Sequence, residues 1–434
     1  MRKAALHNLG CKVNAYETEA MQTLLEEAGY EIVDFHEQAD VYVINTCSVT
    51  NIADRKSRQM LHQAKKRNPE AVIVACGCYV QTSPEKVEAD EAVDVVIGNN
   101  QKHRLPELLE AYFDNGEKLC EVPDIGKDKS YETMVMKKTA EHTRAFVKVQ
   151  DGCNQFCTYC IIPYARGRVR SRSYDDVIAE IHKLAENGYQ EVVLTGIHLS
   201  SYGKDMDTSL IDLIEGVAAV EGIKRVRLGS LEPNIVTEDF VSRLSRVKEF
   251  CPHFHLSLQS GCNATLKRMN RHYTAEEYLE GCKLLRKYFE HPAITTDVIV
   301  GFPGETEEEF EQCRAFLQEV DFYEVHLFKY SKRQGTPAAV MPNQLTEKQK
   351  ADRSHILAED LKENKKRFMS YYLDKEQEVL IEEQEEVAGK RFYTGYTKEY
   401  VKVAMPGIAC KESTNCFVKV KLTDFLTEDI LGVL

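Results

Sequence analysis

The sequence predicts an α/β chain in three parts. Residues 1–125 should form a doubly wound parallel sheet, 143–370 a partial (β/α)6 barrel, and 371–434 a small β-barrel. Short apolar runs alternate with helix-periodic stretches through the first part, and the same alternation resumes after residue 143. The remainder switches to short strand-like runs punctuated by glycine. A chain of 434 residues is also too long for one core.

In the first part, residues 3–9 read as a strand. Asn14 with Glu17 makes a plausible helix start, followed by Met21, Leu24, Leu25 and Ala28 at helical spacing and Gly29 as a stop. Residues 41–45 are a second strand and Asn51–Arg67 a basic helix. Residues 71–75 are apolar throughout, as a strand buried on both faces should be. Residues 93–97 and a helix at 105–113 complete the unit. A Lys- and Asp-rich linker, 124–142, follows.

Six strands are expected in the central part, near 145–150, Glu191–Gly196, 225–230, 254–260, 294–301 and 324–331, with helices such as 175–186 and Ala275–Tyr288 between them. The last part offers strands at 378–382, 392–404 and 416–422, with Gly389, Gly395 and Gly407 at turns. Lys390, Arg391, Tyr393, Tyr396 and Lys398 interleave cations and aromatics there, a pattern suited to nucleic acid, although a small barrel could equally bind a protein.

Composition is that of an ordinary globular protein, 43% hydrophobic and 29% charged. No apolar run approaches bilayer length, so no membrane partner is expected. The opening residues are too short and polar for a signal peptide, and the reading is cytoplasmic. A net charge of −13 argues against nucleic acid overall. Locally, Arg166, Arg168, Arg170 and Arg172 alternate. In an extended segment they would share one face and could grip phosphates; a solvated basic loop is the alternative.

The chemistry lies in the cysteines. Fourteen in a cytosolic chain point to metal or redox work rather than disulfides. Cys153, Cys157 and Cys160 form a C-x3-C-x2-C pattern, and the next cysteine is Cys251. Thiolates select iron–sulfur clusters or zinc, and zinc would want a fourth ligand nearby. Three ligands on a four-iron cluster leave one iron open. Cys11, Cys47 and Cys78 follow the first three strands of the N-terminal sheet. Ligands of open parallel sheets bind beyond the carboxyl ends of strands, so these cysteines should converge as a second three-thiol site. Small buried hydrophobes are the alternative reading of such cysteines, and the better one for Cys76, at the end of its apolar run.

The stretch Asp151-Gly-Cys153-Asn-Gln-Phe-Cys157-Thr-Tyr-Cys160 resembles the signature of the radical S-adenosylmethionine (SAM) enzymes. That resemblance implies a 4Fe-4S cluster whose open iron chelates SAM, and a 5′-deoxyadenosyl radical released on reduction. It also makes strand ends into SAM contacts: Gly196 beside the amino group, Ser230 and Gln259 at the next two ends, Gly301 near the adenine, and Tyr159 against that base. Arg268 and Arg271 are a second basic cluster, for SAM, RNA or a charged helix start.

The words Leu9-Gly-Cys11-Lys-Val-Asn14, Asn45-Thr-Cys47-Ser-Val and Gly77-Cys78-Tyr-Val-Gln81 are similar to those of the methylthiotransferase family. Membership would imply two 4Fe-4S clusters, the second held by Cys11, Cys47 and Cys78, and an RNA-binding TRAM domain at the end of the chain. The reaction implied is replacement of an unactivated C–H hydrogen, such as that on C2 of adenine, by a methylthio group. The partners implied are a tRNA anticodon loop, a flavodoxin- or ferredoxin-type reductant, and a sulfur donor that the residues do not specify. The motifs look most like the branch acting on N6-threonylcarbamoyladenosine at position 37 of tRNA. Isopentenyladenosine in tRNA, a ribosomal-protein aspartate, or a non-catalytic RNA-binding iron–sulfur protein are the alternatives.

Overall fold

The computed structural model describes residues 1–134, 143–407 and 414–433. The linker expected at 124–142 therefore lies partly outside the described residues, as does Cys410.

The N-terminal sheet is wholly parallel. Its strands are β1 (Lys3–Asn8), β2 (Glu31–Ile32), β3 (Val41–Thr46), β4 (Val72–Gly77), β5 (Val95–Ile97) and β6 (Leu119–Glu121), in the order β2-β1-β3-β4-β5-β6. Every residue of β3 and β4 is buried, because helices cover both faces. Helices α1 (Lys12–Glu27) and α5 (Leu105–Asn115) pack on one face through Ala20, Met21, Leu25, Leu108 and Leu109. On the other face α2 (Asn51–Arg67), α3 (Cys78–Thr82) and α4 (Pro84–Glu88) bring Leu61, Ala64, Val80 and Val87. Thr50 caps α2 by accepting from the Ala53 amide at 3.1 Å.

The expected start of α1 at Asn14 is corrected. The helix begins at Lys12, with Cys11 at its N-cap. Asn14 does not cap; its buried amide donates to the carbonyls of Leu9 (2.7 Å) and Thr46 (3.0 Å), tying the helix to the ends of two strands.

In the central part the strands are β7 (Arg144–Asp151), β9 (Glu191–Gly196), β10 (Arg225–Leu228), β11 (His253–His255), β12 (Ala293–Val300) and β13 (Glu324–Lys329), all parallel in sequence order; β8 (Arg170–Ser171) runs antiparallel beside β7. Parallel bridges Val226–Phe250 and Leu231–Leu256 join the neighbourhoods of β10 and β11. Among the described residues nothing pairs β13 with β7, so the barrel is open. Around it run α6 (Ile162–Arg166), α7 (Tyr174–Glu186), α8 (Leu210–Ala218), α9 (Glu238–Leu244), α10 (Asn263–Arg268), α11 (Ala275–Tyr288), α12 (Glu307–Val320) and α13 (Glu347–Leu361). Capping boxes, Thr274 with Glu277 and Thr306 with Glu309, fix the starts of α11 and α12.

The C-terminal part is a mostly antiparallel six-stranded sheet: β14 (Glu376–Val387), β15 (Lys390–Tyr396), β16 (Lys402–Met405), β17 (Cys416–Lys421), β18 (Asp424–Thr427) and β19 (Ile430–Gly432), ordered β17-β14-β15-β16-β19-β18. The run expected at 392–404 is two strands, broken where Thr397 and Tyr400 make a turn with Tyr400 at φ 70°. Helix α14 (Asn364–Ser370) contributes Phe368 and Met369 to this third core rather than to the barrel's. The sheet docks on the barrel through two arginines. Arg225 donates to the carbonyls of Tyr396 (2.8 Å) and Glu378 (2.6 Å), and Arg227 to those of Thr397 (2.6 Å) and Lys398 (2.7 Å).

Candidate functional site

Cys11, Cys47 and Cys78 meet at the carboxyl edge of the N-terminal sheet, at the N-cap of α1, just past β3, and at the first residue of α3. Gly10 permits the approach: it sits at φ 108°, and a Cβ there would lie 2.9 Å from the Cys47 sulfur. Burial pushes the Cys47 thiol up to about 11, and the neighbouring sulfurs of Cys78 and Cys11 push the same way. Burial also raises Cys11, with Arg166 opposing and Cys78 adding. The Cys78 sulfur accepts from Arg166 Nε at 3.3 Å. Cys76 is different. Its thiol faces the Ile44 carbonyl at 3.6 Å within the core, as expected of a packed thiol.

The second trio leaves the end of β7. Gly152, at φ 71°, has no room for a Cβ, which would come within 1.8 Å of the Arg168 carbonyl. The Cys153 amide donates to Gly167 O (3.0 Å) and that of Cys160 to Cys157 O (2.9 Å), folding the motif into a compact loop. Burial lifts Cys153 to about 11 and Cys160 to about 12, and Cys157 adds to both. The Cys153 sulfur accepts from the Gln155 amide (3.5 Å) and the Cys157 sulfur from Arg271 Nη1 (3.1 Å). Arg271 is itself held by Glu232 at 2.6 Å.

Both trios suit a multi-iron cluster better than a lone ion. Among the described residues, the one group of three ligating atoms all within 4.8 Å of each other is His255, Asp297 and His326. The cysteine trios are wider than that, yet close enough for their charges to interact. Donors aimed at the sulfurs, from Arg166, Arg271 and backbone amides, are what an anionic thiolate cluster requires.

The two sites are joined by a buried ionic network. Arg166, last residue of α6 and a short turn beyond Cys160, reaches back to the N-terminal part. It binds Glu17 through two nitrogens, one at 3.0 Å, and donates to Asn14 Oδ1 at 2.5 Å and Asp151 at 3.3 Å. Lys148 bridges Glu17 (2.7 Å) and Asp151 (2.6 Å), and Lys102 adds a third cation to Glu17 at 3.0 Å. All of these side chains are buried. Burial opposes ionisation of Glu17, but Arg166, Lys102 and Lys148 outweigh it and hold the carboxyl well below its ordinary range. The Asn99 amide donates to the Ala165 carbonyl at 2.7 Å, and Arg333 pairs with Asp54 at 2.8 Å and donates to Ser48 Oγ at 2.8 Å, beside Cys47.

The expected arginine row is corrected. Arg166, Arg170 and Arg172 are buried, and only Arg168 is exposed, lying 4.5 Å over the Phe156 ring. Arg170 lies 3.7 Å from Asp151, and Arg172 is held by Glu180 and by Tyr16 of α1. Their partners lie on other elements, Glu17 and Tyr16 on α1, Asp151 on β7 and Glu180 on α7, so charge spacing alone pointed to solvent. Lys390 and Arg391 are exposed at the start of β15, as a nucleic-acid contact needs.

The strand-end residues divide. Tyr159 packs edge-on to Phe302 at 6.4 Å. Gln259 stands at φ 70° and bridges to Val298, while Ser230 is exposed in a cavity. Gly196 lies against the Gln150 side chain, where a Cβ would come within 2.9 Å. The Gly301 amide donates to Glu305 at 2.7 Å, and a Cβ there would strike Lys350 at 2.4 Å. Arg268 and Arg271, close in sequence, part company, Arg268 pairing with Glu309 at 2.8 Å. Glu17 reads in sequence only as part of a helix start, and Lys102 and Lys148 carry no motif; none of the three was legible as a site residue. Of the other cysteines, Cys251, Cys262, Cys282 and Cys313 are buried free thiols and Cys120 is exposed. Cys416, against expectation, is disulfide-bonded.

A three-cysteine loop at the end of the first strand of an open parallel barrel defines a radical-SAM enzyme, and the sequence profile of the Radical SAM superfamily matches residues 147–317. A second profile, Uncharacterized protein family UPF0004, matches residues 3–98. The threonylcarbamoyladenosine tRNA methylthiotransferase MtaB of Bacillus subtilis is 43% identical over 97% of this chain and 94% of its own length. The tRNA-2-methylthio-N(6)-dimethylallyladenosine synthase of Clostridium tetani is 36% identical over 98% and 94%. Among solved structures, the radical S-adenosylmethionine methyltransferase TsrM of Kitasatospora setae shares the fold, with a TM-score of 0.57 at 16% identity over 78% of this chain and 77% of that one. The chain belongs to the radical-SAM methylthiotransferase family, whose cofactors are 4Fe-4S clusters and SAM.

Replacing Cys11, Cys47 and Cys78 together by alanine should halve the iron held after anaerobic reconstitution, and replacing Cys153, Cys157 and Cys160 should remove the other half; iron analysis reads both. Glu17→Gln should cost about 3–5 kcal/mol at neutral pH in chemical denaturation, because it strands buried cations. The stabilisation from Glu17 is complete above the ordinary carboxyl value of 4.5 and is lost as the pH falls from there toward its depressed folded value. The gap between wild type and Glu17→Gln should therefore narrow in acid.

Proposed function

We propose that the protein adds a methylthio group to C2 of N6-threonylcarbamoyladenosine at position 37 of tRNA. The observation that carries the reading is that Arg166, a short turn beyond the second cysteine trio, donates to the Cys78 sulfur of the first. The tRNA methylthiotransferases that the chain resembles supply the substrate class.

In this reading Cys153, Cys157 and Cys160 hold the SAM-binding cluster, and Cys11, Cys47 and Cys78 hold the auxiliary one. Bound there, these groups would supply a carbon-centred radical able to break an unactivated C–H bond and a site for the sulfur to be transferred. The chain's own residues do the rest. Arg271, fixed by Glu232, donates to the Cys157 sulfur and so tunes the potential of what that sulfur binds. Arg166 does the same at Cys78 and sets the spacing of the two sites. Tyr159 offers an aromatic wall beside its cysteines for the adenine of SAM, with Gly196, Ser230 and Gln259 at neighbouring strand ends. Lys390 and Arg391, at the exposed end of the β14–β15 hairpin of a TRAM-like third domain, contact RNA phosphate. We assign domain limits of 1–125, 143–370 and 371–434, a flavodoxin- or ferredoxin-type reductant, and action in the cytoplasm; no helix among the described residues is long and apolar enough to cross a membrane.

Mass spectrometry of tRNA nucleosides from a strain lacking the gene should show threonylcarbamoyladenosine without its methylthio group, restored by the wild-type gene. Unchanged methylthio content would defeat the reading. Lys390→Ala with Arg391→Ala should weaken tRNA binding and flatten its salt dependence, by a slope of about 1 for each phosphate left unneutralised. Arg172→Ala should lower stability and leave that slope unchanged.

A further inference from the structure

A cavity of about 280 Å³ lies where all three parts of the chain meet, bounded by Lys12, by Ser230, His253, His255 and His326 of the barrel, and by Tyr400 of the C-terminal sheet. Lys12 directly follows Cys11. Ser230 lies two residues before Glu232, which fixes the arginine on the Cys157 sulfur. The cavity is thus lined by a residue next to one trio in sequence and by a strand end close to the arginine of the other.

Glu324 in the lining and the two arginines behind it have partners. Arg144 has Glu382 at 2.8 Å and Arg227 has Glu191 at 2.6 Å. Asp297 has His255 at 3.4 Å, and Glu324 has Lys365 at 3.4 Å. Lys12 makes no hydrogen bond or ion pair among the described residues. Its ammonium stands 5.9 Å over the Phe146 ring. The facing wall is rigid: Tyr400 stacks on His253 at 5.0 Å and on Tyr396 at 4.6 Å, and His255 stacks on His326 at 5.7 Å. Lys12 is exposed to this concave pocket with no partner of its own, so its ammonium is free to take an anion there.

We propose that Lys12 binds the carboxylate of the threonylcarbamoyl arm and is the residue that selects this substrate over an uncharged N6 substituent. This rests on the function proposed above. On adenine, C2 and C6 flank N1 of one ring, so an arm on N6 falls in the pocket that presents C2. A dimethylallyl group would leave the ammonium unpaired, which is the stronger form of discrimination.

The test uses reconstituted full-length enzyme and two anticodon stem-loop RNAs, one with threonylcarbamoyladenosine and one with its carboxylate capped as a methyl ester. Wild type should favour the free acid in kcat/KM by roughly 10- to 100-fold. Lys12→Met should abolish that preference, mainly through KM for the acid, and Lys12→Arg should retain most of it. Because the readout is a ratio within one preparation, partial loss of cluster in a variant does not mimic it. Equal kcat/KM for acid and ester in wild type, or an unchanged ratio in Lys12→Met, would overturn the assignment of Lys12 while leaving the methylthiolation of threonylcarbamoyladenosine intact. Failure of wild type to modify either RNA would instead sink the function and this inference with it.

Discussion

The architecture depends on a salt-bridge network that water does not reach. Glu17 comes from α1, Lys102 from the loop after β5, Lys148 and Asp151 from β7, and Arg166 from the turn after the barrel's cysteine loop. Buried charges are expensive unless each is matched, and removing one strands the others. The network therefore fixes the N-terminal sheet against the barrel in one arrangement. That arrangement puts the carboxyl edge of one parallel sheet beside the carboxyl end of the other's first strand. Each fold would place a ligand at such an edge on its own; the ionic lock makes the two edges one region.

The third part closes the region from another side. Arg225 and Arg227 leave the barrel strand β10 and end on carbonyls of the C-terminal sheet, so the barrel supplies charged donors and the sheet supplies backbone acceptors. Arg144 lies 5.0 Å from the ring centres of both Tyr396 and Tyr400. A non-glycine residue at φ 70°, as Tyr400 is, carries backbone strain that surrounding groups must hold. Tyr400 and the His253 ring stacked on it line the cavity that also holds Lys12.

What could be read from the sequence follows physical rules. A continuous apolar run such as that around Val41–Thr46 reads as a strand covered on both faces, and its limits can be placed within a residue or two. Edge strands of two or three residues, Glu31–Ile32 and Leu119–Glu121, carry no such signature. The cysteines were legible because thiols following strand ends are a local pattern. The arginines were not, because their role is decided by Glu17, Asp151 and Glu180, whose proximity no spacing reveals. Asn14 and Glu17 look like a helix cap in one dimension and are an interdomain tie in three. Lys12 stands inside the word at residues 9–14, but no spacing shows that it faces a pocket without a partner.

If Arg166 holds two clusters in one pocket, their electron spins must interact. Pulsed dipolar electron paramagnetic resonance on the reduced, reconstituted protein reads that interaction. Strong magnetic coupling between the clusters, abolished when either cysteine trio is replaced by alanine, is the expected outcome. Two independent cluster signals with no dipolar interaction would contradict a shared pocket.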